Sequence, residues 1–228
     1  MSTAGTLFVI GTPIGNLEDI TLRALRVLRE ADVVLCEDTR VTKKLFAHYD
    51  IHVPLLSFHA HSGLAKVEKI LAMLSEGKSI GLVTDAGTPG ISDPGSLLVT
   101  AVRKDNPHTK IVSVPGPSAL TAALSVAGIS GSDFVFLGFL PHKKGRVTIF
   151  SQIAGAERTV VCYESTHRLM KTLTSLIEVL AVSRRVVVVR ELTKIFEEVY
   201  AGNASGALAF FSENPEKQRG EFVLIIEP

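Results

Sequence analysis

Ionisable side chains are concentrated in two short segments, each of which follows an apolar stretch typical of a buried strand. The first segment is Glu37-Asp38-Thr39-Arg40, and the second is Tyr163-Glu164-Ser165-Thr166-His167-Arg168. Helix capping accounts for part of each, with Asp38 or Thr39 as the cap in the first and Ser165 or Thr166 in the second. The density of ionisable groups also indicates a site that moves a proton or holds an anion. The candidate catalytic residues are Glu37, Arg40, Glu164, His167 and Arg168.

Glycine and proline are concentrated in loops that follow other strand-like stretches. Residues 84–95 contain three Gly, two Pro and two Asp, which is more than a simple turn requires. Gly87 and Gly90 allow backbone to approach a ligand closely, and Asp85 can accept a hydrogen bond from an amine or a ribose hydroxyl, or face a cation. The loop at 11–16 matches neither Gly-x-Gly-x-x-Gly nor a P-loop, so the sequence lacks both of those nucleotide-binding fingerprints.

The elements that position these segments alternate between strand-like and helix-like patterns. This alternation predicts an α/β fold with a mostly parallel sheet in the first half, and such sheets bind ligands at the carboxyl ends of their strands. Strands are predicted at 7–10, 32–36, 54–58, 79–84 and 111–114. Helices are predicted at 20–30, at 39–48, from a cap at Ser62 through 75, and from Asp93-Pro94 onward.

A second α/β domain is predicted after the break at Val114-Pro115-Gly116-Pro117. The expected domains are therefore residues 1–115 and 116–228. The second has shorter elements, which predicts a more antiparallel sheet. Its strands are predicted at 134–137, 159–163, 185–191 and 222–226, and its helices at 118–127, 166–180 and 204–211.

Composition narrows the class of protein. The 228 residues are 46% hydrophobic with a formal net charge of +1, which excludes a disordered chain and argues against a general nucleic-acid coat. No apolar run approaches the roughly 20 residues of a membrane-spanning helix, and the N-terminus lacks the pattern of a signal peptide. The two cysteines, Cys36 and Cys162, lie in strand-like runs and are expected to be reduced in the core of a cytoplasmic protein. No metal site is predicted from His48, His52, His59 and His61.

Several segments together resemble the tetrapyrrole (corrin/porphyrin) methylase superfamily, and specifically its ribosomal-RNA branch. The resemblance extends over essentially the whole chain. It is carried, in chain order, by residues 11–17 (GTPIGNL), 37–40 (EDTR), 85–89 (DAGTP) with 93–95 (DPG), 115–119 (PGPSA), 163–168 (YESTHR), 190–194 (RELTK) and 220–224 (GEFVL).

The resemblance implies two αβα domains with S-adenosylmethionine bound in the cleft between them, and a homodimer. It also implies that the substrate is the ribose 2′-hydroxyl of a cytidine in the decoding region of 16S ribosomal RNA, in the 30S subunit. Relatives often continue past the last strand, so an RNA-docking role of such an extension is not carried over. The implied cofactor-binding residues are Pro13, Asp85, Ala86, Gly87, Thr88, Ser92, Ser118, Ala119, Tyr163, Leu192, Gly220 and Glu221.

Methyl transfer to a ribose hydroxyl needs in-line alignment and help with removing a proton. Arg40 and Arg168 are expected to hold phosphate or the developing alkoxide, and Glu164 or His167 to orient or deprotonate the hydroxyl. A structural ion pair between Glu164 and Arg168 is an equally good interpretation. Three basic clusters could contact phosphates or be solvated faces, namely 43–44, 143–146 and 184–185.

Three other functions remain open at this point. A different branch of the superfamily would methylate a tetrapyrrole or a protein side chain, but residues 37–40 and 163–168 match the RNA branch. A nicotinamide oxidoreductase is the second alternative, but this sequence lacks the glycine-rich fingerprint of such enzymes. A non-enzymatic ribosome-binding module would keep the cofactor loops without turnover.

Overall fold

The computed structural model describes residues 5–59 and 62–228. The chain folds as two compact units, Met1–Ser118 and Ala119–Pro228. His61, for which no metal-binding role is predicted, lies outside the described residues. The domain boundary placed after residue 115 stays a prediction.

The N-terminal unit is built on a five-stranded, entirely parallel sheet, which confirms the α/β prediction. Its strand order is β3-β2-β4-β1-β5. All five strands end at the same edge of the sheet. The loops that contain the candidate functional residues of this unit begin there. The strands are β1 Thr6–Ile10, β2 Val33–Cys36, β3 Leu55–Ser57, β4 Ser79–Leu82 and β5 Lys110–Val114, and the helices are α1 Leu22–Glu30, α2 Thr39–His48, α3 Leu64–Ser75 and α4 Gly95–Asp105.

Local capping explains where two of these helices begin. The Thr21 side chain accepts a hydrogen bond from the Ala24 N–H at the start of α1, and Asp38 accepts one from the Arg40 N–H at the start of α2. The cap predicted at Ser62 is wrong: the N-cap of α3 is Gly63, and the Ser62 hydroxyl accepts from the His59 N–H instead. This bond within the loop uses the hydroxyl that would otherwise cap the helix.

The C-terminal unit has a mixed sheet in the order β6-β7-β10-β8-β9. Only the β6–β7 pair is parallel and the other three pairs are antiparallel, which confirms the predicted antiparallel character. The strands are β6 Phe134–Phe139, β7 Thr159–Ser165, β8 Arg185–Arg190, β9 Glu198–Asn203 and β10 Glu221–Ile226, and the helices are α5 Ala119–Val126, α6 Arg146–Ala154, α7 Leu169–Val179 and α8 Ala204–Glu213.

Two elements of this unit were not predicted. Helix α6 begins in the basic run 143–146, which was interpreted only as phosphate contacts or a solvated face. Strand β9 is an edge strand whose apolar residues Val199 and Ala201 are exposed. Its hydrophobic pattern therefore does not predict a half-buried strand. Its pairing with β8 defines it.

Helix α7 begins at Leu169, three residues later than predicted. Arg168 is its N-cap and makes no side-chain capping bond, so the predicted capping by Ser165 or Thr166 is wrong. The Thr166 hydroxyl donates to the Gly220 carbonyl at 2.7 Å instead.

Both cysteines are buried and unbonded, as predicted. Burial raises the pKa of Cys162 to about 12, so this thiol stays protonated at neutral pH. Among residues 5–59 and 62–228, no helix is both long and apolar enough to cross a bilayer.

Candidate functional site

The loops after β1 and β4 are joined by a backbone bridge. The Thr12 N–H donates to the Gly87 carbonyl at 2.9 Å, and the Gly87 N–H donates to the Thr12 carbonyl at 3.1 Å. The Thr12 hydroxyl also donates to the Thr84 carbonyl at 3.2 Å. Pro13, the next residue, is therefore held beside the loop that contains Asp85, Ala86 and Thr88.

Glycine is required at the closest approaches of these loops. A Cβ on Gly11 would lie 2.8 Å from the Cα of Gly116, so the loops after β1 and β5 touch through backbone alone. Gly87 has φ +84, and a Cβ there would lie 3.3 Å from the Ile14 side chain. The Thr88 hydroxyl donates to the Pro117 carbonyl at 3.1 Å, which brings this loop next to Ser118. Ala119 follows as the first residue of α5.

An acidic group links the β4 loop to the start of α2. The Asp85 carboxylate accepts from the Asp38 N–H at 3.0 Å, while its residue remains exposed. Asp38 in turn accepts from both the side chain and the backbone of Arg40, with 2.6 Å between Arg40 Nη2 and Asp38 Oδ2. Those bonds lower the pKa of Asp38 to about 2. Arg40 is exposed and forms an ion pair with Asp38.

Glu37 is an exposed carboxyl with a shifted pKa. Partial burial raises the pKa of Glu37, and the negative charges of Asp85 and Asp93 raise it further. The charge of His59, at the end of the neighbouring strand β3, acts in the opposite direction. These groups lie at the carboxyl ends of β2, β3 and β4, so Glu37 has a site-like environment.

Asp93 shapes the second half of the glycine-rich loop. Its carboxylate accepts from the Gly90 N–H at 2.8 Å and from the Gly95 N–H at 2.6 Å, immediately before α4. Ser92 adopts φ +64 and is exposed. A non-glycine residue in this region of the backbone is strained, and such strain is commonly retained at ligand-binding loops.

In the C-terminal unit, Tyr163 lies in an aromatic cluster near the end of β7. Its ring packs edge-on against Phe136 and Phe139, with centroid separations of 4.9 and 5.4 Å. Burial raises the pKa of Tyr163, so the phenol remains protonated at physiological pH. The residue is half-buried, so part of its side chain remains exposed.

Glu164 is the most deeply buried of the predicted catalytic groups, at 1% exposure. Its Oε1 lies 2.8 Å from Arg168 Nη2 and accepts from the Ser165 N–H, and its Oε2 accepts from the Thr172 hydroxyl at 2.6 Å. A base must reach the proton that it removes. These contacts favour the structural ion pair over a role in proton transfer.

The remaining catalytic candidates of this unit differ in exposure. His167 is exposed at the turn before α7. Arg168 is largely buried and donates to the Ser165 hydroxyl and to the Leu140 carbonyl, the latter at 2.6 Å. His167 can reach a ligand, whereas Arg168 is occupied in holding backbone and Glu164.

A third cluster gathers the other predicted cofactor residues of this unit. Lys194 Nζ lies 2.9 Å from both Glu191 Oε1 and Glu221 Oε2, and the Glu221 N–H donates to Glu191 Oε1. Burial opposes the charged form of Glu191, yet the bonds from Lys194 and Glu221 lower its pKa overall. Leu192 is buried beside this cluster. Gly220 precedes Glu221 and donates to the Thr166 hydroxyl, which connects the cluster to the end of β7.

The basic clusters separate into structural and exposed groups. Arg146 is buried, donates to Thr172 at 2.9 Å and lies over the Phe150 ring. Arg184 donates to the carbonyls of Glu227, Ala154 and Ala156, and Arg185 donates to that of Gly128. These bonds favour a structural role for the three arginines, and phosphate contacts by them stay a prediction. Four lysines from the same clusters remain exposed, namely Lys43, Lys44, Lys143 and Lys144.

Sequence reasoning missed Arg146 and Thr172 as partners of the second polar segment. The i,i+4 spacing of Arg146 and Phe150, and a threonine within the apolar face of α7, were the available signals. Within the described parts of the chain, no group of three or more His, Cys, Asp or Glu residues is arranged to hold a metal ion.

Comparison with known proteins gives a consistent result. Residues 6–207 match the family description "Tetrapyrrole (Corrin/Porphyrin) Methylases". The chain is 45% identical over 228 residues, all of this chain and 83% of the relative, to "Ribosomal RNA small subunit methyltransferase I" of Xylella fastidiosa. It is 44% identical over 222 residues to the protein of the same name from Thermotoga maritima, which covers 97% of this chain and 98% of the relative.

Solved structures share the fold at lower identity. Diphthine synthase aligns with a TM-score of 0.73 at 14% identity, covering 98% of this chain and 90% of that chain. The methyltransferase CobJ aligns with a TM-score of 0.70 at 21% identity, covering 98% and 94%. At these identities the likeness concerns the fold alone.

Proposed function

This chain belongs to the tetrapyrrole (corrin/porphyrin) methylases, and we propose that it methylates the ribose 2′-hydroxyl of a cytidine in the decoding region of 16S ribosomal RNA, within the 30S subunit. It is a methyltransferase that uses S-adenosylmethionine. The assignment of an RNA substrate rests on the 45% identity, over all 228 residues, to a relative named for the small ribosomal subunit.

The N-terminal loops fit the chemistry of this cofactor. Bound S-adenosylmethionine supplies a methyl group on a positively charged sulfur. The carboxylates of Glu37, Asp85 and Asp93 lie close enough for the last two to raise the pKa of the first, so a cationic ligand relieves their mutual repulsion. Gly87 is buried and bonded through its backbone to Thr12, and its φ of +84 shapes the turn on which Asp85 and Ala86 remain exposed.

We assign cofactor binding to the residues named by motif match. In the N-terminal unit, the loop after β4 and the loops bridged to it hold the ligand. In the C-terminal unit, Tyr163 offers an aromatic surface, and Leu192 adjoins the ion-pair cluster. The full assignment is Pro13, Asp85, Ala86, Gly87, Thr88, Ser92 and Ser118, then Ala119, Tyr163, Leu192, Gly220 and Glu221.

Among the catalytic candidates, Glu37 is the best suited to take the proton of the 2′-hydroxyl. It is exposed, and its raised pKa brings it nearer to neutral pH, where a base is most effective. Arg40 and His167 are exposed and can contact phosphate or the developing alkoxide. Glu164 and Arg168 act by holding the end of β7 against the start of α7.

The assembly and location form part of the same proposal. We assign the chain to the cytoplasm because both cysteines are free thiols, and to a homodimer because its surface carries large apolar side chains. Ile195 and Phe196 are 91% and 65% exposed. Light scattering at micromolar concentration should give about twice the 24.5 kDa of one chain. A 24.5 kDa species alone would contradict the dimer.

A methyl-transfer assay tests the proposed function directly. Purified 30S subunits lacking the modification are incubated with protein and S-adenosylmethionine labelled in the methyl group. We expect label in 16S RNA, at a cytidine ribose, and a fall of about 10²- to 10⁴-fold in turnover for Glu37→Gln. Label in a ribosomal protein instead, or only in a tetrapyrrole added to a parallel reaction, would place the chain in another branch. Binding to subunits without transfer would identify a non-enzymatic module.

A further inference from the structure

The loop between β6 and α6 has a basic, exposed tip. His142, Lys143 and Lys144 are exposed, and no Asp or Glu occurs anywhere from Phe134 to Ala156. The protein as a whole has a net charge of only +1, so this is a local concentration of positive charge. Lysines in such a setting suit contacts to phosphate oxygens.

An exposed aromatic ring lies immediately before this loop. The register of β6 against β7 shifts between Phe136 and Phe139, and Gly138 with φ +62 lies at that irregularity. As a result Phe139 pairs with Tyr163 and packs edge-on against its ring while 55% of its surface is exposed. RNA-binding proteins use exposed aromatic rings beside positive charge to stack unpaired bases.

Two arginines hold the loop in place, Arg146, which is buried, and Arg168, whose side chain is 13% exposed. Arg168 Nη1 donates to the Leu140 carbonyl at 2.6 Å, and Arg146 Nη1 donates to the Pro141 carbonyl at 3.3 Å. Both are tied to Glu164, Arg168 directly at 2.8 Å and Arg146 through the Thr172 hydroxyl. A loop fixed before binding loses less conformational entropy when it contacts its partner.

We propose that residues 139–144 bind the RNA substrate, with Phe139 stacking on an unpaired base and Lys143 and Lys144 contacting phosphates, and that Glu164 is a positioning residue for this segment. The occupant is single-stranded or looped RNA, since paired bases offer no free face to a ring. The inference rests on the proposed function for its choice of RNA. It adds a binding surface and a role for the buried network.

Binding of unmodified 30S subunits tests the surface without requiring turnover. Lys143→Ala with Lys144→Ala should weaken binding about tenfold or more, and lower the slope of log K against log salt by about 0.7–0.9 for each phosphate that the variant no longer neutralises. Phe139→Ala should weaken binding about fivefold to a hundredfold with the slope unchanged. The affinity for S-adenosylmethionine should stay the same in the lysine variant.

A charge-matched control isolates location from net charge. Lys69→Ala with Lys104→Ala removes two exposed lysines from α3 and α4 and should leave both affinity and slope unchanged. An equal loss in this control, or no loss on changing Lys143 and Lys144, would overturn the assigned surface.

The positioning role has its own readout. Glu164→Gln, and the nearly isosteric Thr172→Val if the first variant folds poorly, should raise the KM for 30S subunits severalfold while kcat stays near the wild-type value. A fall in kcat at constant KM, or a lower melting temperature with both constants unchanged, would refute positioning.

Failure of this inference is distinguishable from failure of the proposed function. If wild-type protein methylates subunits and the lysine variant does so with unchanged KM, only the surface is wrong. If wild-type protein transfers no methyl group but the lysine variant still binds subunits more weakly, the surface stands and the enzymatic proposal fails. If wild-type protein neither binds nor methylates subunits, both are wrong.

Discussion

Glu164 and Arg168 are four residues apart in sequence, but their ion pair joins two different elements. Glu164 belongs to β7, Arg168 is the N-cap of α7, and their side chains meet at 2.8 Å with only 0% and 13% of their surfaces exposed. The pair therefore fastens the end of a strand to the start of the next helix. Thr172, one turn into that helix, binds the other carboxylate oxygen.

Removing the buried carboxylate should destabilise the protein strongly. Glu164→Ala leaves Arg168 without its ionic partner in a poorly solvated position, which costs about 3–5 kcal/mol in the free energy of unfolding. Glu164→Gln keeps the shape and should cost less. Urea denaturation measures both, with Glu178→Gln on the exposed face of α7 as the control. Equal stability of Glu164→Ala and the control would show that the pair contributes nothing.

The sequence predicted the parallel sheet well because its signals are local. Each strand of the N-terminal unit is a short apolar run bounded by turn residues, and Asp38, one of the two caps predicted at residues 37–40, does begin α2. Strand β9 was missed because its pairing with β8, rather than its own pattern, defines it.

The sequence indicated which residues are candidates for the site, but it did not determine what each of them does. The spacing of Glu164 and Arg168 was compatible with catalysis and with an ion pair, and burial, which spacing does not report, favours the pair. The link from Arg146 to Thr172 spans 26 residues of sequence, so no local pattern contains it. By contrast, the bridge between Thr12 and Gly87 joins two loops that their composition had already marked.

Glycine at position 87 should be essential for binding the cofactor. Gly87→Val places a branched side chain at φ +84, with its Cβ 3.3 Å from the Ile14 side chain, in the loop proposed to hold the ligand. Wild-type protein at a hundredfold excess of S-adenosylmethionine over Kd should gain about 2.7 kcal/mol of stability, and this variant should gain none. Gly77→Ala, at φ +89 in the turn before β4, controls for backbone strain. Undiminished calorimetric binding in a folded Gly87→Val protein would refute the assignment.

The pH dependence of turnover should report on Glu37. A base with a raised pKa loses activity as the pH falls through that pKa, so kcat should fall on the acidic side. Asp85 is one cause of the shift, and Asp85→Asn should therefore move the acidic limb to lower pH. The comparison requires saturating cofactor, since Asp85 is itself assigned to cofactor binding. An acidic limb at the same pH in Asp85→Asn would separate Glu37 from the observed titration.

The same shift has a consequence for stability. Because the pKa of Glu37 is higher in the folded protein than in the unfolded chain, ionisation favours unfolding. The contribution of Glu37 is most favourable below its unfolded pKa and is lost as the pH rises through its folded pKa. Glu37→Gln should therefore raise the melting temperature at pH 7, by an amount that shrinks toward zero at acidic pH. A variant that is less stable than wild type at pH 7 would contradict the direction of the shift.

Substitution at Gly220 should disturb the ion-pair cluster that Lys194 completes. Gly220 has φ +122, and a Cβ there would lie 2.6 Å from the Cγ of Glu191, whose carboxylate binds both Lys194 and the Glu221 N–H. Gly220→Ala therefore strains the backbone and displaces Glu191, and we expect a loss of about 1–3 kcal/mol in the free energy of unfolding. Gly131→Ala is the matched control, because its Cβ would meet nothing closer than 3.8 Å.

Since Glu191 has a lowered pKa, its contribution is present above its unfolded pKa and is lost as the pH falls through its folded pKa. The difference between Gly220→Ala and the control, measured by urea denaturation, should thus narrow at low pH, and a gap that stays constant from neutral to acidic pH would assign the loss to backbone strain alone.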